Sequence, residues 1–138
     1  MNAPVPTRIP RWRVESLGLW TAADETDERI AIGWALQGER WPRDVEARHF
    51  YAPLHRRAAC AVLLAGAWHG GVELLPLVRA MRRWRALDVA EAHELGEMYG
   101  EAQYVTEPAW DRLIERGEWR WRVLQLEAEA ERMRRAAP

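Results

Sequence analysis

Beyond residue 24, apolar side chains return every three or four positions, the period of a helix that buries one face. A first helix is predicted to about Gly38, capped by Asp24 or Thr26, with acidic residues in its first turn and Ile30, Ala31 and Trp34 facing inward. Trp41-Pro42-Arg43-Asp44 predicts a short turn of helix to about Arg48. Pro53 opens the next helix where its missing N–H costs nothing. Leu54, Ala58, Ala61, Val62, Ala65 and Trp68 share one face of it, and Leu63 and Leu64 widen the apolar surface, which places this helix centrally. His69-Gly70-Gly71 ends it. A fourth helix, from about Glu73 to Arg85, carries Leu74, Leu77, Val78, Met81 and Trp84, and tolerates Pro76 in its first turn. Asp88-Val89-Ala90-Glu91 is a capping box that opens a fifth helix to about Tyr99, ended by Gly100. Pro108 starts the longest, to about Arg135, with Trp110, Leu113, Ile114, Gly117, Trp121, Leu124 and Ala128 along one side. No segment alternates with a period of two between hairpin turns, so no sheet is expected. The fold class is all-α, a small bundle of about six helices with a long C-terminal helix.

Residues 1–22 differ. Pro4, Pro6 and Pro10 prevent a stable helix early on, and Arg11-Trp12-Arg13, Leu17, Leu19 and Trp20 follow. These apolar residues predict an arm that docks, on its own body or on a neighbour. The chain thus divides into an N-terminal arm (1–22), a helical globule (23–106) and a C-terminal helix (107–138) that serves as an interaction element. At about 28 residues that helix extends about 42 Å, longer than so small a bundle is wide. Its far end needs a partner or stays exposed, and a homodimer is the first expectation.

Composition narrows the classes. A chain of 138 residues makes one domain. Nine Trp stand against one Phe, and all 20 basic residues are Arg, so every positive charge is a planar fork able to pair carboxylates or stack on rings. The net charge of −1 supplies no global field for a nucleic-acid backbone, although a local patch stays open. The single Cys60 excludes an intramolecular disulfide and reads as a small buried hydrophobe in a reducing compartment. No apolar signal core opens the chain, and the run from Ala58 to Trp68 is too short to span a bilayer; a cytoplasmic protein with no membrane partner is expected.

Catalytic chemistry finds no foothold. Without lysine there is no Gly-x-x-x-x-Gly-Lys-Ser/Thr phosphate loop. His49, His55, His69 and His93 lack zinc-ligand spacing, and Ser16 and Cys60 lack a neighbouring base in any motif. Glu91, Glu94, Glu97 and Glu101 line one helical face and read as solvated. No catalytic, metal or cofactor-binding residue is assigned, and a non-enzyme is expected.

The order Ile30-Ala31-Ile32-Gly33-Trp34-Ala35-Leu36, His49-Phe50-Tyr51, His55-Arg56, Gly71-Val72-Glu73-Leu74, then Leu87-Asp88 and Leu95, resembles the N-terminal domain of the DnaB-type replicative DNA helicases over about Glu28 to Met98. His49 and Glu73 stand where that family usually has Asp, and Pro76 departs from its pattern. The family's second hairpin helix, linker and ATP-hydrolysing domain have no counterpart, so unwinding is not implied. The resemblance implies a collar-like recognition module that self-associates and meets replicative helicase or primase, as adaptor, loader or decoy.

Candidate contact residues follow from the aromatic–arginine runs. In Trp119-Arg120-Trp121-Arg122, positions two apart point about 200° apart. Trp121 belongs to the inward stripe, and Trp119 faces away near Arg116, Arg120 and Arg122. With Trp12 of the arm these make the expected protein interface; the alternative packs Trp119 under the arm. A different class of function, a small DNA-binding module, would use Arg11 and Arg13 with Arg82, Arg83 and Arg85, if the clusters converge to stack bases and neutralise phosphates. The plainer reading pairs such arginines with local carboxylates, as at Glu118–Arg122 and Glu131–Arg135. A degenerate scaffold is the third reading. Phe50 is expected to be buried, the Tyr51 hydroxyl to need a partner, and His55 and Arg56 to be structural.

Overall fold

A computed structural model describes residues 9–69, 74–84 and 87–137, with backbone alone at 65–69. Arg85, and the Gly70-Gly71 stop and Glu73 start expected around the third connection, lie outside the described residues. The elements are α1 (Arg11–Ser16), α2 (Ala22–Leu36), a 3-10 turn (Ala47–His49), α3 (Pro53–His69), α4 (Leu74–Arg83), α5 (Val89–Gly100) and α6 (Glu107–Ala136). Among the described residues there is no strand, and the bundle is all-α with a long C-terminal helix.

Local chemistry sets the helix starts. The Asp88 carboxylate accepts the Glu91 N–H at 2.8 Å, and Glu91 accepts the Asp88 N–H at 3.1 Å, the box the spacing predicts. The Thr106 hydroxyl caps α6 ahead of Pro108. α2 starts earlier than expected. Its cap is Thr21, whose hydroxyl accepts the Asp24 N–H, while Asp24 accepts the Thr21 N–H at 2.7 Å. Asp24 is therefore the return arm of a box rather than the cap. The expected helix from Trp41 to Arg48 shrinks to the 3-10 turn. Its first half is held by a side chain: the Trp41 indole donates to the Ala31 carbonyl at 2.7 Å and its ring stacks on Phe50 at 5.1 Å.

α2 packs against α3, α5 and α6. Its buried face is Asp24, Glu28, Ala31, Ile32, Ala35 and Leu36, with Ile30 and Trp34 half-buried at the edge. The expected stripe is thus rotated, because two acidic residues occupy inward positions that an apolar pattern assigns elsewhere. Leu54, Ala58, Ala61 and Val62 of α3 are buried, as is Phe50. Leu64 and Cys60 are not; Cys60 is an exposed thiol. α3 carries more apolar surface than its neighbours cover.

The described part of the arm docks on its own body. α1 forms directly after Pro10, whose fixed φ suits a helix start. Val14, Leu19 and Trp20 then close over Leu124 of α6 as a second apolar cluster beside the main core.

Two glycines permit close backbone approach. A Cβ on Gly117 of α6 would lie 2.6 Å from the His49 Cα, and one on Gly33 of α2 would lie 2.5 Å from the Met98 carbonyl oxygen. Gly117→Ala is expected to cost about 1–3 kcal/mol, because only backbone movement relieves the clash. Gly96→Ala, in open space on α5, should be neutral or stabilising by up to about 1 kcal/mol. Urea unfolding of the two variants checks the contrast.

Candidate interaction surfaces

Sequence reasoning gives no role to Glu28, yet its fully buried carboxylate is where the chain converges. One oxygen accepts the Trp20 indole N–H at 2.9 Å and the Tyr51 N–H at 3.0 Å. The other accepts the Ala52 N–H at 3.4 Å and lies 2.8 Å from His55 Nδ1, which donates. The Arg120 guanidinium stands 3.6 Å away. The signal for Glu28 is a charged residue three and four positions before Ala31 and Ile32, on their face.

Arg120, a candidate interface residue, is only 3% exposed. It donates to the carbonyls of Leu19 at 3.2 Å and His49 at 3.0 Å, tying the arm and the 3-10 turn to α6. Burial lowers its pKa, with Glu28 and Asp24 opposing. Its position on the helix decides this: one residue beyond Trp119 turns the side chain about 100° toward the body. Arg116 also points inward. It clamps Asp24 with two bonds, at 2.9 and 2.6 Å, and donates to the Gly18 carbonyl at 2.9 Å. Desolvation pushes the Asp24 carboxyl up, but the bonds from Arg116 and Thr21 outweigh it and hold it below its ordinary value.

His49 acts as an acceptor in the 3-10 turn. Its Nδ1 accepts the Glu46 N–H at 2.9 Å, so the ring proton sits on Nε2, 2.8 Å from Glu118. The His49 bond and Arg48 hold the Glu118 carboxyl low. Glu46, His49 and Glu118 place three potential metal-ligand atoms within 4.8 Å of one another. Arg48 lies against both carboxylates, at 2.7 and 2.6 Å, and offsets one of their two negative charges.

The remaining candidates face outward. Trp119 is 44% exposed with Arg116 5.0 Å over its ring, Arg122 is exposed, and Trp12 is 67% exposed. Trp121 is half-buried, with the Arg56 guanidinium 5.9 Å from its ring. Leu124 is the last buried residue of α6; the segment after it overhangs the core, although Glu127 still reaches Arg13 of the arm. From Trp119 into this overhang, Trp119, Leu126 and Met133 recur every seven residues, with Val123, Ala130 and Ala137 four after each; Val123 is half-buried against the arm cluster. Leu126 is 61% and Met133 68% exposed. This 4-3 spacing makes an apolar seam about 27 Å long. It lies about 140° around the helix from Gly117, Arg120 and Leu124, which face the body. The inward side of α6 up to Leu124 is therefore wall of the globule, and the exposed interaction element runs along its outer side from Trp119 toward the C-terminal end.

The three arginine clusters divide. Arg11 pairs with Glu15 at 2.9 Å and lies over Trp20, and Arg13 reaches Glu127 at 3.7 Å, so the arm cluster adjoins α6. Arg82 and Arg83 are exposed at the end of α4, which packs against α3 and α5. The acidic face of α5 is not simply solvated: Glu91 pairs with Arg57, and Glu94 and Glu101 both meet Arg29. No helix among the described residues is long and apolar enough to cross a membrane. No protein-family model matches the chain, and neither does any curated protein or solved structure.

Glu28→Ala is expected to cost about 3–5 kcal/mol by leaving Arg120 and His55 without their buried partner. Intrinsic fluorescence should shift to the red as Trp20 detaches at denaturant concentrations where the rest stays folded. The Asp24 pair has a defined pH signature. Because its folded pKa is depressed, its stabilisation is complete above the ordinary value of 3.8 and is lost as pH falls below that through the folded value. The Tm gap between wild type and Asp24→Asn should accordingly close below that pH and stay open above it.

Proposed function

We propose that this chain is a non-catalytic accessory module of DNA replication that works by protein contact. It pairs with a second copy of itself through the overhang of α6 and engages a replicative helicase or primase, as a helicase collar domain does. The observation that carries the reading is the 4-3 seam, which begins at Trp119 on the outer side of α6 and continues past Leu124 with Leu126 and Met133 exposed. A solvated face has no need of Leu126 and Met133 in register.

Charge favours a copy of the same chain. In a parallel, in-register pair, Arg122 would face Glu127 of the second copy, and Glu129 would face its Arg134, so both flanking positions are complementary. The present partners of those side chains, Arg13 for Glu127 and Glu131 for Arg134, are exposed pairs that exchange at little cost. The replication assignment is supported by where the resemblance residues sit. Tyr51 and His55 bond Glu28, and the His49 carbonyl accepts from Arg120, so these residues of the pattern share one buried junction of α2, α3 and α6.

At about 100 µM, light scattering is expected to give a dimer mass, and Leu126→Glu a monomer. Arg122→Glu should weaken pairing, and adding Glu127→Arg should restore it. A wild-type monomer at that concentration rejects self-association. The replication assignment has its own test: purified cognate helicase or primase should bind the immobilised protein, and failure of both to bind at about 10 µM ends it.

A further inference from the structure

The loops before the 3-10 turn and before α6, together with the first turns of α6, enclose an open groove of about 540 Å³. Its walls are aromatic. Trp110 is buried and meets Trp41 edge-on at 6.3 Å, and Trp41 is fixed by its stack on Phe50 and its bond to the Ala31 carbonyl. Trp34 stands across from Tyr104, whose ring meets it edge-on at 5.6 Å while 72% of that tyrosine remains exposed. Trp34 and Trp41 are half-buried and Tyr104 is largely exposed, an arrangement with little packing purpose for Tyr104.

The rim is acidic. Asp44, Glu107 and Asp111 line it with Arg40, three carboxylates against one guanidinium, a net formal charge of −2. All three carboxylates are exposed, and among the described residues none of them takes part in an ion pair. That sets them apart from Asp24, Asp27, Glu28, Glu46, Glu91, Glu94, Glu101 and Glu118, each of which has an arginine partner.

Aromatic faces beside unpaired carboxylates attract a cation. A planar guanidinium suits both features at once, stacking on a ring while its edge donates to a carboxylate. Among the described residues Arg11, Arg56, Arg116 and Arg120 lie over Trp20, Trp121, Trp119 and Tyr51 at 4.9–5.9 Å, and Arg11 and Arg116 also donate to a carboxylate, Glu15 and Asp24. A phosphate backbone would be repelled by the same rim. We infer that this groove docks an extended basic segment of another protein, taking an arginine side chain between the Trp34, Trp41 and Tyr104 rings and the carboxylates of Asp44 and Asp111. The site is separate from the α6 seam and stands or falls independently of self-association.

The test is titration of the full chain with blocked Ala-Arg-Ala peptide, followed by NMR at the Trp34, Trp41 and Trp110 indole N–H signals. Saturable shifts are expected at up to about 10 mM peptide, the affinity range of a single cationic side chain in such a site. Ala-Gln-Ala should produce none, and Ala-Lys-Ala should bind more weakly. Tyr104→Ala and the double variant Asp44→Asn/Asp111→Asn alter exposed side chains, and each should weaken binding about threefold or more. Raising salt from about 50 to 500 mM should weaken it further. Absence of shifts, equal shifts with Ala-Gln-Ala, or binding that ignores the rim variant would overturn the site; equal binding of Ala-Lys-Ala would overturn the choice of guanidinium.

Discussion

One dehydrated carboxylate keeps the separate parts of this protein in register. Removing Glu28 from water costs several kcal/mol, and an offset requires donors with good geometry on both oxygens. They come from the arm (Trp20), the loop entering α3 (Tyr51, with Ala52 longer at 3.4 Å) and α3 itself (His55), while α6 sets the Arg120 charge 3.6 Å away. No local segment could supply them. The arrangement is therefore close to all-or-none: displacing any contributor leaves a charge or a donor stranded in the core. Arg120 extends the same logic outward by closing the Leu19 and His49 carbonyls.

This anchoring gives α6 its two halves. Up to Leu124 the helix is a wall of the bundle, close enough to the 3-10 turn that Gly117 is the residue the backbone allows. Beyond Leu124 none of its described residues is buried, and Leu126 and Met133 are exposed. Because Arg120 and Leu124 fix its rotation, the side turned away from them, with Trp119, Leu126 and Met133, is presented at a set angle. A helix gripped this firmly at one end can offer a partner a surface with little ordering cost.

The exposed features differ in chemistry, and each suits a different occupant. The seam is apolar with alternating charge on its flanks, which suits a helix of like sequence. The groove near the start of α6 is aromatic with an acidic rim, which suits a cation. Arginine serves both surfaces and the core because one planar fork can clamp Asp24, cover Trp119 or close backbone carbonyls.

Periodicity and capping chemistry are local, so the chain by itself determines an all-helical protein, the start of α3 at Pro53, the Asp88 box and the length of α6. The same locality explains what it misplaces: Thr21-x-x-Asp24 is a box only when both partners are considered, and a Trp41 pinned to α2 needs no helix around it. The seven-residue recurrence of Trp119, Leu126 and Met133 is present in the sequence as well, although nothing local says which side of α6 is left uncovered. Tertiary structure decided that Glu28 and Arg120 lie inside while Cys60 and Leu64 lie outside. Whether a polar group is buried depends on donors that arrive from distant segments, and whether an apolar one is covered depends on how much surface a neighbouring helix can spare.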